Sequence, residues 1–352
     1  MSGSTPNHCT HNPHPERPTH MRLFALAATL LLTLPLPAQK KKDSGYDRSA
    51  RATVLHPAIV YVGPDDTAQK VAEVTPGHEV VIIEHSGPWV KVFANTDTAD
   101  SQDPDKEAEF TSPDDTHTPS SGWIKDKGLV TPATPGGDAI LYGTAANLED
   151  EASHPHAPKD AATSAHLLYR RVFEYFPASN LSPTAAYRSA DIRWQLEKVD
   201  LATLPSAREQ EAYLRPQLYE GDLKRVIKLY PQSDQAAQAA YNLLDNKLCG
   251  DWQGLPKCPE MEANLYLKYA EQRPASPRAP EAFYNAIYRQ GVLVTMYQVE
   301  DNRKRAEAAA ARVQSLAADM HTRFPNSDFT HRAESIAFRV KQGVSIYGND
   351  RE

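Results

Sequence analysis

Two of the chain's three cysteines, Cys249 and Cys258, close the stretch C-G-D-W-Q-G-L-P-K-C. A thiol pair so spaced has three chemical uses: a redox centre, half a metal site, or a disulfide. Nucleophilic catalysis needs a thiolate held near a base at a helix start. Cys258 precedes a helix predicted to begin near Pro259, and His321 or His331 would be its base, but no peptidase motif surrounds them. His78-Glu79 and Glu84-His85 place two histidines seven apart on a β run, on opposite faces, whereas a zinc helix sets them four apart on one face. They read as surface strand residues. His8, Cys9, His11 and His14 have ligand chemistry but lie upstream of the residue at which an export signal starts. Phosphate-loop, dinucleotide and nucleophile-elbow motifs are absent. The sequence therefore predicts no catalytic residue, no metal and no cofactor. A cell-wall hydrolase using Cys258 and a histidine is the alternative.

The signal runs from Met21. After Met21-Arg22 come about 15 apolar residues, L-F-A-L-A-A-T-L-L-L-T-L-P-L-P, then Ala38, Gln39 and three lysines. That is too short to span about 30 Å of hydrocarbon and has the form of a secretory signal peptide, Met21 to Ala38, cut after Ala38. Met21 is the expected true start, with residues 1–38 as leader and signal and 39–50 as linker. No cysteine follows the apolar run to carry a lipid anchor. The mature chain is expected to be exported, periplasmic and without a transmembrane segment. In that compartment an even cysteine pair reads first as a disulfide.

Residues 51–131 have strand character: V-L-H-P-A-I-V-Y-V, K-V-A-E-V, H-E-V-V-I-I-E, W-V-K-V-F and G-W-I-K, separated by G-P-D-D, T-P-G and S-G-P turns. Five short strands predict a small barrel. Their order, with Trp89 and Gly122-Trp123-Ile124 at the family's two tryptophan positions, resembles the bacterial SH3-like (SH3b) domain over roughly 80 residues. The departure is an insert at 97–120 with eight acids against one lysine, a surplus equal to the whole chain's formal charge of −7. So polar a segment is predicted to be a disordered loop, without the spacing of a calcium loop. Tyr61, Trp89 and Trp123 are the candidate groove for a peptide or glycan stem, with core packing as their other use.

After a T-P-A-T-P-G-G linker (132–140) the periodicity is helical over 141–347, with a tail at 348–352. Four junctions share one punctuation: F-P-A-S from Phe176, Y-P-Q-S from Tyr230, R-P-A-S from Arg273 and F-P-N-S from Phe324. Proline stops the outgoing helix and serine offers an oxygen to the next. Ser182-Pro183 and Ser276-Pro277 add proline at the first helical position. The junctions resemble degenerate tetratricopeptide (TPR) repeats, particularly those of periplasmic proteins of envelope and outer-membrane assembly, although they are spaced more widely than the 34-residue unit. The inner helices of such an array offer Arg188, Asp191, Trp194, Tyr241, Asn242, Tyr284 and Asn285 for binding or for interhelix packing. Residues 291–312 are predicted to form one long solvated helix. Its Arg303-Lys304-Arg305, beside Glu300 and Asp301 in a net acidic exported chain, does not indicate nucleic acid.

The predicted fold is thus multidomain: a small all-β SH3-like barrel followed by an all-α, TPR-like helical-repeat solenoid. The predicted role is a non-enzymatic adaptor or scaffold in protein–protein interaction, binding envelope proteins or cell-wall peptides. A self-associating structural protein is the remaining alternative. Cys249–Cys258 is expected to be a disulfide clasping a helix-to-helix turn, with Gly250 taking the left-handed stop, Pro259 the first helical position and Trp252 packing beneath.

Overall fold

The computed structural model describes residues 50–94 and 120–347. The predicted signal peptide at Met21–Ala38 and all but the last residue of the acidic insert lie outside them.

Seven strands form one curled antiparallel sheet: β1 (Arg51–Val54), β2 (Ala58–Tyr61), β3 (Lys70–Val74), β4 (Glu79–Ser86), β5 (Trp89–Ala94), β6 (Ser120–Lys125) and β7 (Leu129–Val130). Their order is β3-β2-β6-β5-β4-β1-β7. The first predicted run is two strands because Pro57 cannot donate to a ladder, so the chain bends at Leu55-His56-Pro57. Alternation sends Val60, Val80, Val90, Val92, Ala94 and Ile124 to one face, where they meet Ala52, Val54 and Val74 in a core without aromatics. Trp89 is buried at 7% exposure, yet it stands outside that cluster.

Nine α-helices follow among the described residues: α1 (Gly137–Ala152), α2 (Ala161–Tyr175), α3 (Ser182–Ala202), α4 (Gly221–Leu229), α5 (Asp234–Asn242), α6 (Lys257–Gln272), α7 (Ala279–Val299), α8 (Arg303–Arg323) and α9 (Asp328–Lys341). None is long and apolar enough to cross a membrane. The four punctuated junctions have one geometry. Phe176, Tyr230, Arg273 and Phe324 end α2, α4, α6 and α8 with φ near −130° and ψ near 55°, as the proline after each disfavours the helical region. Each C-cap N–H still donates to the carbonyl four residues back, and each junction's serine N–H donates to the C-cap carbonyl at 2.9–3.1 Å.

Proline placement then divides the junctions. Ser233 and Ser327 are themselves N-caps, accepting from Ala236 and Phe329 N–H. Ser179 and Ser276 instead close a turn on Leu181 and Arg278, and their helices begin three residues later. Pro183 is consequently the second helical residue, one position off the expectation, and Pro277 precedes its helix, two positions off. The predicted long helix at 291–312 is also corrected. It is two helices, broken where Asp301 takes φ 54° and the Asn302 side chain accepts from Arg305 N–H.

The sheet and α2 meet over a buried charge. Glu79, only 2% exposed, is paired with Arg51 and accepts from Tyr175 Oη at 2.9 Å. Arg171, equally buried, donates from Nε to the Gly77 carbonyl at 3.3 Å and from Nη1 to Glu174 at 2.7 Å. Glu79 is therefore no surface strand residue. Its alternation is overridden because the T-P-G turn before it docks on α2. Gly77 has φ 89°, and a Cβ there would stand 2.6 Å from Leu167 Cβ. Burial and then Glu79 push the Tyr175 phenol up, keeping it a donor. For Glu174 desolvation works upward, but Arg171 and Arg170 outweigh it and hold the carboxyl low.

Candidate functional site

On the sheet's face opposite the valine core, the register aligns Tyr61, Trp123, Lys91 and Glu84 across four strands. Lys91 lies 5.8 Å from the Trp123 ring centroid and 3.4 Å from Glu84. Trp89 sits beside this row, with the Tyr61 ring edge-on at 5.5 Å and the Lys125 ammonium at 5.3 Å from its centroid. The three predicted aromatics are thus brought together on the face away from the valine core, Tyr61 and Trp123 partly exposed and Trp89 buried, and two lysines flank them. Flat rings with adjoining cations suit a ligand with an apolar stem and an acidic group.

In the helical region the predicted residues fall on alternate helices and bind one helix to the next. Arg188 of α3 is paired with Glu149 of α1 and lies 3.1 Å from Asp191. Asn242 of α5 donates to Asp191 at 2.9 Å, and Trp194, 1% exposed, donates to Asp245 at 3.3 Å. Asn285 of α7 donates to Tyr241 Oη at 3.0 Å, while Tyr284 lies 5.7 Å from Phe329 of α9. Burial first, then Asp191, pushes the Tyr187 phenol beside this ladder up to about 12. Arg188, Asp191, Trp194, Tyr241 and Asn242 all spend their polar groups on neighbouring side chains. They set the spacing of α1, α3, α5 and α7.

Tyr284 and Asn285 also line an open groove of about 450 Å³ between α7 and α9, with Tyr288, Arg289, Arg332 and Arg339. Those last four were not among the sequence candidates. A signal existed, since Tyr284 and Tyr288 are one helical turn apart and Arg332 and Arg339 two, but which stripe of α9 faces α7 is a tertiary matter.

The cysteine turn supports this groove. Cys249 and Cys258 are disulfide-bonded with Cα atoms 6.0 Å apart. Helix α6 starts at Lys257, two residues before the predicted Pro259, so Cys258 lies buried in its first turn. The left-handed residues are Gln253 and Gly254, not Gly250. Gly250 is required for another reason: its N–H donates to the Glu209 carbonyl at 3.2 Å, and a Cβ would come within 2.4 Å of that oxygen. Beneath the turn is Glu262, which sequence reasoning missed. Its carboxylate, 2% exposed, accepts from Cys249 N–H at 2.9 Å, Trp252 Nε1 at 3.1 Å and Arg289 Nε at 2.7 Å. The Arg289 guanidinium also stacks 4.6 Å from the Tyr266 ring centroid. The disulfide turn, a buried carboxylate and one wall of the groove are thus a single connected unit.

The hydrolase candidates are apart from one another in role. Cys258 is bonded to Cys249, and His321 and His331 are exposed, both beside Glu334 at 2.7 and 3.5 Å. Among the described residues no group of three or more histidines, cysteines or carboxylates is placed to hold a metal ion. His166 is half-buried; its Nδ1 donates to the Ser189 carbonyl at 2.8 Å, and its affinity for a second proton is lowered chiefly by desolvation, against the pull of Asp222.

No protein-family model and no curated protein matches the chain. Among solved structures, a de novo designed helical repeat protein is similar at 19% identity, over 58% of this chain and 90% of that one, with a TM-score of 0.20.

Proposed function

We propose that the chain is an exported, non-enzymatic adaptor of the cell envelope, in which an SH3-like barrel and a TPR-like helical array each present a binding surface to envelope proteins or cell-wall peptides. The observation that carries the reading is the α7–α9 groove, open to solvent and walled by tyrosines and arginines. Solvent-facing aromatics at Tyr61 and Trp123 support a second surface on the sheet. The disulfide and the absence, among the described residues, of a membrane-crossing helix are compatible with export through a signal peptide at Met21–Ala38. A cysteine hydrolase would need a thiolate at Cys258, and that sulfur is bonded to Cys249.

The test is crosslinking of the native protein in its envelope, followed by identification of what is attached. The expected result is one or a few specific envelope proteins or peptidoglycan fragments. Recovery of the chain alone, at several crosslinker lengths, would refute the adaptor.

A further inference from the structure

After α9 the chain turns back on α7. Gly343, at φ 72°, makes the turn, with Val344 N–H donating to the Arg339 carbonyl at 2.9 Å. Residues 342–345 are exposed, and Ile346 then drops to 2% exposure. Its N–H donates to Thr295 Oγ1 at 3.0 Å, and its side chain lies over Gly291. A glycine inside a 21-residue helix costs stability relative to alanine. Here it makes a seat: a Cβ would stand 2.9 Å from Ile336 Cγ2 and 3.3 Å from Ile346 Cγ1. Tyr347 carries the contact on to the disulfide turn, its ring centroid 5.8 Å from that of Trp252. Gly291, Thr295, Ile336 and Trp252 thus form a socket on α7, α9 and the cysteine turn. It receives an aliphatic side chain, one main-chain N–H and an aromatic ring. The strap that fills it is poised rather than locked, because the gain from burying one isoleucine and the entropy cost of ordering residues 342–347 are of the same order.

We propose that this socket is a docking site for an extended segment of a partner protein in which a β-branched aliphatic residue precedes an aromatic one, and that the chain's own strap occupies it as an autoinhibitory placeholder. Ile346-Tyr347 shows the chemistry the socket accepts: Thr295 takes the main-chain N–H, Gly291 leaves room for the aliphatic branch, and Trp252 meets the ring. A tethered strap competes at a high effective concentration, so a partner enters only by fitting better or once the strap is drawn off. This rests on the adaptor reading and adds to it a means of control.

The test uses the full mature chain and a fluorescein-labelled peptide of the strap's own sequence, Gly-Val-Ser-Ile-Tyr-Gly, followed by anisotropy. In Ile346→Asp the strap can no longer seat, and this variant should bind the peptide at least about tenfold more tightly than the wild type, whose strap competes. The same peptide with aspartate for isoleucine should not bind. Adding Thr295→Val to Ile346→Asp removes the acceptor of the main-chain N–H and should weaken the peptide about fivefold. Equal affinity in the wild type and Ile346→Asp, or binding to neither, overturns the proposal. So does an Ile346→Asp chain that fails to fold, since the strap is then part of the core and not a placeholder. A complex between wild-type and Ile346→Asp chains in sedimentation assigns the socket to a second copy's strap and likewise overturns it. In envelope crosslinking, Ile346→Asp should capture more of the partner than the wild type does. Equal capture overturns the socket while the adaptor survives; capture of nothing by either chain overturns the adaptor itself.

Discussion

Replacing Glu262 by alanine should be among the most damaging single changes in the helical region, although the residue touches no predicted ligand. The substitution strands three donors: the Arg289 guanidinium, the Trp252 indole N–H and the Cys249 amide. Arg289 is 12% exposed at its side chain, so it becomes a largely buried charge without a partner. Breaking one side of such a pair costs about 3–5 kcal/mol, and each neutral donor left unsatisfied about 1–3 kcal/mol. The three losses share one oxygen pair and overlap, which places the expected cost at about 4 kcal/mol. For a domain of this size that lowers the melting temperature by roughly 10 °C. The assay is urea and thermal unfolding by circular dichroism on oxidised protein. A second variant isolates the cause: Glu262→Leu with Arg289→Leu removes both charges and should recover most of the loss, since an apolar pair of similar volume replaces a buried ion pair at little cost. A cost below about 1 kcal/mol for Glu262→Ala, or strict additivity of the two leucine substitutions, would refute the view that the turn, the carboxylate and the groove wall act together.

Three further outcomes are expected. Processed native protein should show no titratable thiol without reductant, and Cys249→Ser with Cys258→Ser should lower stability by roughly 2–3 kcal/mol, the closure entropy of so short a loop, as read from urea midpoints. Gly77→Ala should destabilise by more than about 2 kcal/mol in the same assay, because its Cβ meets Leu167 and the Ser164 carbonyl and because φ is 89°; Gly87→Ala, also at positive φ but with open space around it, should cost less. Desolvation above all lowers the proton affinity of His166 in the fold, opposed by Asp222 and the Ser189 carbonyl and assisted by Arg193 and Arg170. Below its unfolded value near 6.5 the unfolded chain then binds more protons, so stability falls as pH drops through and below that value. The melting temperature should decline between about pH 7 and 5, and by less in His166→Gln.

Much of this protein was legible as sequence because it is local. Alternating valines set the sheet's inner face, and Pro177, Pro231, Pro274 and Pro325 fix the same backbone state before them wherever they occur. The cysteine pair, nine residues apart, had to meet across its own turn. What tertiary structure alone decided are the buried charges and the faces. Glu79 and Glu262 look like surface residues in a one-dimensional pattern. Only docking on α2 and the cysteine turn removes them from water, and only there do Arg51, Tyr175, Trp252 and Arg289 arrive to satisfy them. The same holds for the groove. Periodicity gives α9 its stripes, but which stripe meets solvent beside α7 depends on how Ile336 packs over Gly291, a contact between residues 45 apart in the chain. Hydrophobic period and proline stereochemistry act over a few residues and can be read in order. Charge desolvation and groove lining depend on which distant segments share a volume, and no local pattern encodes that.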